Sequence, residues 1–184
     1  MFDLTNRYDF VGIAILFEGS LIAIAGGLGW WFGIAPLENL QWEWRGPVWG
    51  LAATLPVFGL FLLLNRFPVG PLQKIKTFLV EALGPSLAVC RWYDLLVVAG
   101  VAGLSEEILF RGILQPLMGI VWSNVVFGLL HFITPTYAVL AALLGAYLGW
   151  LLDDSGNLLA PIVAHGLYDF LAFLVVARQY ARRG

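Results

Sequence analysis

The chain is built from long apolar runs separated by short stretches that contain proline, glycine or charged residues. Polar interruptions inside these runs are few, which is typical of helices surrounded by lipid. Isolated strands cannot satisfy their backbone groups in lipid, so each run predicts a helix. Six candidate spans result, at residues 8–33, 47–64, 93–118, 121–134, 137–152 and 158–177. The fourth and fifth are shorter than the roughly 17 to 25 residues of a crossing helix.

A different pattern lies between the second and third spans, in the stretch "PLQKIKTFLVEALG". Its apolar residues recur at helical spacing with charged residues between them, which predicts an interfacial amphipathic helix. We expect this helix to lie on the bilayer surface, although it could also form a substrate platform. The apolar positions are Leu72, Ile75, Phe78, Leu79, Ala82 and Leu83. The pattern as a whole predicts an all-α, polytopic membrane helix bundle in one domain, 1–184, with about six transmembrane spans and this interfacial helix.

Composition supports a membrane protein. The chain is 60% hydrophobic and 12% charged, with a mean hydropathy of +0.86, whereas a soluble domain carries about 25% charged residues. The lipid bilayer is therefore an expected partner, and a net charge of −2 argues against nucleic acid. The single cysteine, Cys90, excludes an intramolecular disulfide and a cysteine-rich metal site.

The positive charges are distributed unevenly between the two ends of the predicted spans. All Lys and Arg residues except Arg45 and Arg111 fall at the end that also carries both termini. This bias predicts that both termini are cytoplasmic. The N-terminal stretch "MFDLTNRYDF" has acids where a signal peptide has a basic region, so we expect a retained first span.

Several ionisable residues are predicted to lie inside the apolar spans. A charge near the centre of a bilayer costs at least ~2.5 to 3.5 kcal/mol, so such residues are functional hypotheses by default. Both histidines of the chain belong to this set, which concentrates the candidate chemistry in one place. The set comprises Glu18, Glu106, Glu107, Arg111, His131, His165 and Asp169.

The spacing of these ionisable residues predicts which face of its helix each one occupies. Residues four apart share a helix face, so Glu107 and Arg111 are predicted to form an ion pair within the third span. Glu106 then points elsewhere without a local cation, which suits a general acid or base. His165 and Asp169 present their polar tips to one side of the sixth span by the same rule. The third, fourth and sixth spans are therefore expected to surround a polar cavity.

Glu18, in the first span, has no partner at helical spacing. Two interpretations remain open for it, lining the cavity and pairing with a neighbouring helix.

Three short motifs follow one another inside the spans: "EEILFR" from Glu106, "FGLLH" ending at His131, and "HGLYD" from His165 to Asp169. In this order they resemble the motifs of the CPBP family, the CAAX protease and bacteriocin-processing intramembrane endopeptidases. The resemblance covers residues 93–177, the expected catalytic core, and implies hydrolysis of a membrane-associated peptide or protein substrate. Eukaryotic CAAX proteases carry asparagine in the third motif where this chain has Asp169, which can donate a hydrogen bond only when protonated.

The resemblance implies a metal-independent mechanism without a cofactor, in which Glu106 and His131 activate a water molecule. His165 and Asp169 would bind the oxyanion, and Glu107 with Arg111 would support the site. One alternative is a zinc-dependent metalloprotease with Glu106, His131 and His165 as ligands. An alternative of another class is a small ion- or proton-coupled transporter, or a non-catalytic immunity or scaffold protein. The short chain favours a bacterial-type member in a plasma membrane, with no prenyl recognition expected.

Overall fold

The apolar runs form helices throughout residues 3–183, the part of the chain that the computed structural model describes. Within that part there are α-helices and two π-helical turns and no strand, which confirms the predicted all-α membrane bundle. Five helical stretches are long and apolar enough to cross a bilayer. The α-helices are α1 Arg7–Phe32, α2 Arg45–Arg66, α3 Pro71–Phe78, α4 Gly84–Ala88, α5 Trp92–Leu109, α6 Gln115–Leu130, α7 Pro135–Ser155 and α8 Leu159–Ala181, and the π-helical turns are Leu79–Leu83 and Phe110–Leu114.

The count of crossing helices differs from the expected six because the predicted third and fourth spans form one helical stretch, Trp92–Leu130. Gly119 interrupts this stretch with φ 81° and ψ 164°, a conformation that is essentially restricted to glycine. The Phe110 and Phe127 ring centroids are 4.8 Å apart, although a straight helix would separate these residues by about 25 Å. The chain therefore reverses at Gly119.

The returning arm, residues 120–130, is too short to cross by itself. It covers about 16 Å at ~1.5 Å per residue, against a hydrocarbon core of about 30 Å. It packs against α7, which starts beside α3 and ends beside the loop between α1 and α2, where Gln41 donates to the Gly156 carbonyl. The arm and the turn after it thus bring the chain back across most of the bundle.

Both ends of the described chain lie at the same end of the bundle. Arg7, at the start of α1, forms a two-pronged ion pair with Asp94 at the start of α5, with contacts of 2.5 and 2.7 Å. At the other terminus, Arg183 lies 3.6 Å from Glu81. This arrangement agrees with the predicted clustering of cations, and the cytoplasmic location of that end stays a prediction.

The interfacial segment divides its apolar side chains between the bundle and the surface. Ile75, Val80 and Leu87 are buried, whereas Phe78 and Leu83 are exposed. A π-helical turn at Leu79–Leu83 interrupts the segment, and its extra residue rotates the side chains that follow it around the axis. The segment therefore packs its second half against the bundle.

α8 runs through the centre of the bundle, in contact with α2, α5, α4 and α7. It approaches α5 most closely where two glycines meet. A Cβ atom on Gly103 would lie 2.6 Å from the backbone nitrogen of Gly166. This close approach places the residues that follow Gly103 directly against those around Gly166.

Candidate active site

The candidate site is centred on three consecutive residues of α5, and each of them faces a different helix. Ser105 donates a hydrogen bond of 2.6 Å to Glu18 on α1. Glu106 lies 3.7 Å from His131 at the end of α6. Glu107 accepts a hydrogen bond of 2.7 Å from His165 on α8. Successive helix residues diverge by about 100°, so a single turn of α5 connects three separate helices.

Glu107 and Arg111 form the ion pair that their spacing predicts. Arg111 Nη1 donates to Glu107 Oε1 at 3.2 Å, and Nε lies 3.0 Å from Oε2 without the alignment of a hydrogen bond. Both side chains are almost completely excluded from solvent, at 0% and 1% exposure. Because the same Oε1 accepts from His165 Nδ1, Glu107 is shared by a cation on its own helix and an imidazole on α8.

Arg111 also connects α5 to the returning arm and to α7. Its Nη2 donates to Asn124 Oδ1 at 3.2 Å and to the Gly145 carbonyl. The guanidinium carbon lies 5.2 Å from the centre of the Phe127 ring, within cation–π range. Arg111 therefore holds closed the helical hairpin that α5 and the returning arm form around Gly119, as well as pairing with Glu107.

Sequence reasoning missed Asn124. It is 4% exposed, and its amide nitrogen donates to the Ile120 carbonyl at 2.6 Å. The sequence feature that could have identified Asn124 is an uncharged amide in an apolar run, seven residues before His131. Such a residue inside a membrane helix bonds across helices, but its partner cannot be identified without the hairpin.

Glu106 and His131 meet because the hairpin folds the returning arm against α5. His131 Nδ1 lies 2.9 Å from the Phe127 carbonyl. A carbonyl only accepts, so Nδ1 carries the hydrogen and Nε2 presents its lone pair towards Glu106 in the neutral ring. The ring stacks on Phe127 with centroids 4.3 Å apart, which fixes its orientation.

One oxygen of the Glu106 carboxylate is available to bind a ligand. Oε2 is buried and makes no hydrogen bond to protein, and 3.7 Å to His131 exceeds hydrogen-bond distance. Buried polar atoms are normally satisfied by protein or water. A carboxylate oxygen and an imidazole nitrogen at this separation can both bond to one small polar molecule.

The His165–Asp169 pair also follows its predicted spacing. With Nδ1 committed to Glu107, the other ring nitrogen, Nε2, lies 3.5 Å from Asp169 Oδ2. His165 is 4% exposed, and the Asp169 side chain is 22% exposed. His131 is 32% exposed, so Asp169 and His131 form the accessible side of the site.

Glu18 pairs with a neighbouring helix, which is one of the two interpretations left open by the sequence. Its Oε2 accepts from Ser105 Oγ, and Ser105 is fully buried. The bond length of 2.6 Å is that of a hydroxyl donating to a carboxylate.

The side chains, as placed, do not fit a zinc ion. Within residues 3–183, no three His, Cys, Asp or Glu side chains are arranged around a common point that could hold a metal. His165 directs Nδ1 at Glu107 and Nε2 at Asp169. The alternative ligand set Glu106, His131 and His165 would need a rearrangement of at least one of these side chains.

A cavity of about 460 Å³ lies on the far side of Arg111, near the loop between α1 and α2. Arg111 lines this cavity, whereas Glu106 and His131 do not. The candidate site is assigned to Glu106 and His131 because a buried carboxylate oxygen without a hydrogen bond lies there beside an imidazole nitrogen. The cavity is lined by Asn39, Arg111, Gln115, Pro116, Ile120, Leu152, Asp153 and Gly156.

Comparison with known proteins places these residues in a family context. Residues 88–171 match the family described as "Type II CAAX prenyl endopeptidase Rce1-like". A protein of Bacillus subtilis (strain 168), the uncharacterized protein YpbD, is 32% identical over 82 residues, which cover 43% of this chain and 43% of YpbD. The chain thus aligns with less than half the length of this relative. No solved structure matches significantly.

The matched segment runs from the end of α4 into α8. It contains every residue of the candidate site except Glu18. The resemblance that the three motifs indicate is therefore confirmed over residues 88–171, within an integral membrane helix bundle.

Proposed function

We propose that this chain, whose residues 88–171 match the CAAX-type endopeptidases, is an intramembrane endopeptidase that hydrolyses peptide bonds with a water molecule activated by Glu106 and His131. The substrate class is a membrane-associated peptide or protein, because the site lies inside a helix bundle that crosses the bilayer. The proposal includes metal independence and no prenyl recognition.

One observation carries the proposal, the approach of Glu106 to His131. The two residues come from opposite arms of the Gly119 hairpin, and their side chains end 3.7 Å apart with a lone pair on each facing group. The two groups are not hydrogen-bonded to each other, so the lone pair of each stays available. A water molecule bonded to both would lose a proton readily, because each partner can accept it.

Hydrolysis then proceeds in two proton-balanced steps. The oxygen of the water forms a bond to the carbonyl carbon of the substrate while its proton passes to Glu106. The carbonyl oxygen becomes an oxyanion. Glu106 then returns the proton to the amide nitrogen as the carbon–nitrogen bond breaks, so that an acid and an amine leave the site.

The oxyanion would be bound by His165 and Asp169. His165 donates from Nδ1 to Glu107, so its Nε2 can donate to a substrate only in the imidazolium form, which the Glu107 carboxylate favours. Asp169 donates only when protonated. One donor at such a site is worth ~3 to 4 kcal/mol of transition-state stabilisation.

Glu107 and Arg111 act as supporting residues in this proposal. They touch no reacting atom, but Glu107 orients the His165 ring and Arg111 holds Glu107. Arg111 also binds the returning arm that carries His131. A change in either residue would therefore disturb both sides of the site.

The experiment compares wild type with Glu106→Gln, which keeps the size of the side chain and loses its basicity. Each purified protein is incubated with membranes of the expression host, and new peptide termini are quantified by mass spectrometry. We expect new peptide termini to accumulate with wild type. With Glu106→Gln their number should be lower by a factor of at least ~10², the lower end of the range for loss of a general base. Equal accumulation with both proteins would exclude the proposal and favour the transporter or scaffold alternative.

A further inference from the structure

Glu18 is the ionisable residue of α1 that no motif explains. It is the only one beyond the first turn of that helix, and it lies outside the segment that matches the endopeptidase family. A carboxylate this far into an apolar helix is costly, and such residues mark function or a specific partner. The partner in the structure is Ser105, immediately before Glu106.

The two neighbours of Glu106 are both tied to other helices, while Glu106 itself is not. Ser105 is bonded to α1 through Glu18, and Glu107 is bonded to α8 through His165. Glu106 Oε2 has no hydrogen bond to protein. The direction of the Glu106 side chain therefore depends on how α5 is rotated about its axis, and the two flanking bonds limit that rotation.

We propose that Glu18 is a positioning residue that fixes the rotation of α5 through Ser105, so that Glu106 faces His131. This inference rests on the proposed function, since it assigns Glu18 a role in the same reaction. It adds α1 to the elements that build the site.

Small rotations are sufficient to matter. Side chains extend to about 5–6 Å from a helix axis, so a rotation of about 20° displaces a side-chain tip by about 2 Å. A misplacement of about 1 Å can cost ~10²-fold in rate. The Glu18–Ser105 bond acts directly beside Glu106, where such a rotation has its effect.

Loss of this bond should change the rate more than the folding. Ser105 Oγ lies 3.2 Å from the Ala102 carbonyl of its own helix, so without Glu18 its hydroxyl has a second acceptor. The ion pair between Arg7 and Asp94 still attaches the start of α1 to the start of α5. The helices would remain packed, while α5 loses one of the two bonds that limit its rotation beside Glu106.

The test uses Glu18→Leu, Ser105→Ala, their double variant and Glu18→Gln in the purified full chain, with peptides identified from the host membranes as substrates. Glu18→Leu and Ser105→Ala should each lower kcat by ~10 to 100-fold with little change in KM. The double variant should be no slower than either single variant, because both remove one interaction. Glu18→Gln should restore most of the rate, since its amide oxygen accepts the same hydrogen bond.

Ser20→Ala is the matched control, because Ser20 is an exposed residue of α1 whose hydroxyl bonds to the Phe17 carbonyl of its own helix. It should keep the wild-type kcat. A wild-type kcat in Glu18→Leu, or losses that multiply in the double variant, would overturn the proposal. A Glu18→Gln variant as slow as Glu18→Leu would also overturn the proposal, because the reaction would then depend on the negative charge of Glu18 and not on its hydrogen bond to Ser105.

A second measurement is independent of catalysis. Cysteines at positions 106 and 131, in a Cys90→Ser background, are joined with a short thiol cross-linker, with and without Glu18→Leu. Several-fold lower cross-linking with Glu18→Leu is expected, and equal yields would overturn the positioning role. If wild type produces no new termini, the proposed function has failed, and the cross-link still decides whether Glu18 sets the rotation of α5.

Discussion

His165 donates from Nδ1 to Glu107 at 2.7 Å, and this bond joins the first and third motifs of the chain across the α5–α8 interface. The close approach of the two helices at Gly103 and Gly166 makes it possible. The same Glu107 carboxylate pairs with Arg111, so one fully buried acid stabilises two cationic or potentially cationic groups. Glu107 is therefore the central acceptor of the site, although it touches no reacting atom in the proposed reaction.

Replacing Glu107 should reduce stability and turnover together. Glu107→Gln leaves Arg111 buried without its counter-charge, and breaking a buried pair costs about 3–5 kcal/mol. We expect a lower unfolding temperature in detergent and a lower folded yield, together with a loss of proteolysis. Glu81→Gln is the matched control, because the exposed pair between Glu81 and Arg183 should contribute about 0–1 kcal/mol. Wild-type stability and turnover in Glu107→Gln would contradict the supporting role.

Gly119 should be intolerant of a side chain. At φ 81° and ψ 164° a non-glycine residue is strained by about 1–3 kcal/mol. Gly119→Ala should therefore open the hairpin and separate Glu106 from His131, which lowers kcat and the unfolding temperature. Gly59→Ala, inside α2 where a Cβ atom would have nothing within 4 Å, should be neutral or stabilising. The same effect at both positions would mean that Gly119 has no special role.

Metal content separates the two hydrolytic mechanisms. Glu106→Gln should be inactive in both, so it cannot choose between them. We expect purified wild type to contain no stoichiometric metal and to keep its rate after exhaustive chelation, since no three ligating side chains converge in residues 3–183. About one zinc ion per chain, lost in His131→Ala or His165→Ala and needed for activity, would establish the metalloprotease instead.

The topology can be tested with single cysteines in a Cys90→Ser background. Thr5, Glu43 and Arg182 are suitable positions, because each is exposed and Arg7, which pairs with Asp94, is left intact. Thr5 and Arg182 should label from one side of the membrane, and Glu43 should label from the other. Labelling of positions 5 and 182 from opposite sides would contradict the fold, and labelling of both from outside the cell would contradict the predicted cytoplasmic termini.

The sequence alone determined what depends on one helix at a time. The positions of the apolar helices follow from hydropathy, because lipid excludes unsatisfied backbone. The pairs Glu107–Arg111 and His165–Asp169 follow from spacing, because residues four apart on any helix share a face. The order of the three motifs was enough to identify the family resemblance.

The tertiary structure decided everything that depends on how helices are placed against each other. The gap between the predicted third and fourth spans already indicated a reversal near Gly119, whereas the packing of residues 120–130 against α5 and α7 depends on the tertiary structure. The bonds from Ser105 to Glu18 and from Glu107 to His165 depend on the rotation and depth of two helices at once. Spacing along the chain predicts neither bond, because the rotation and depth of each helix are set by its packing against other helices.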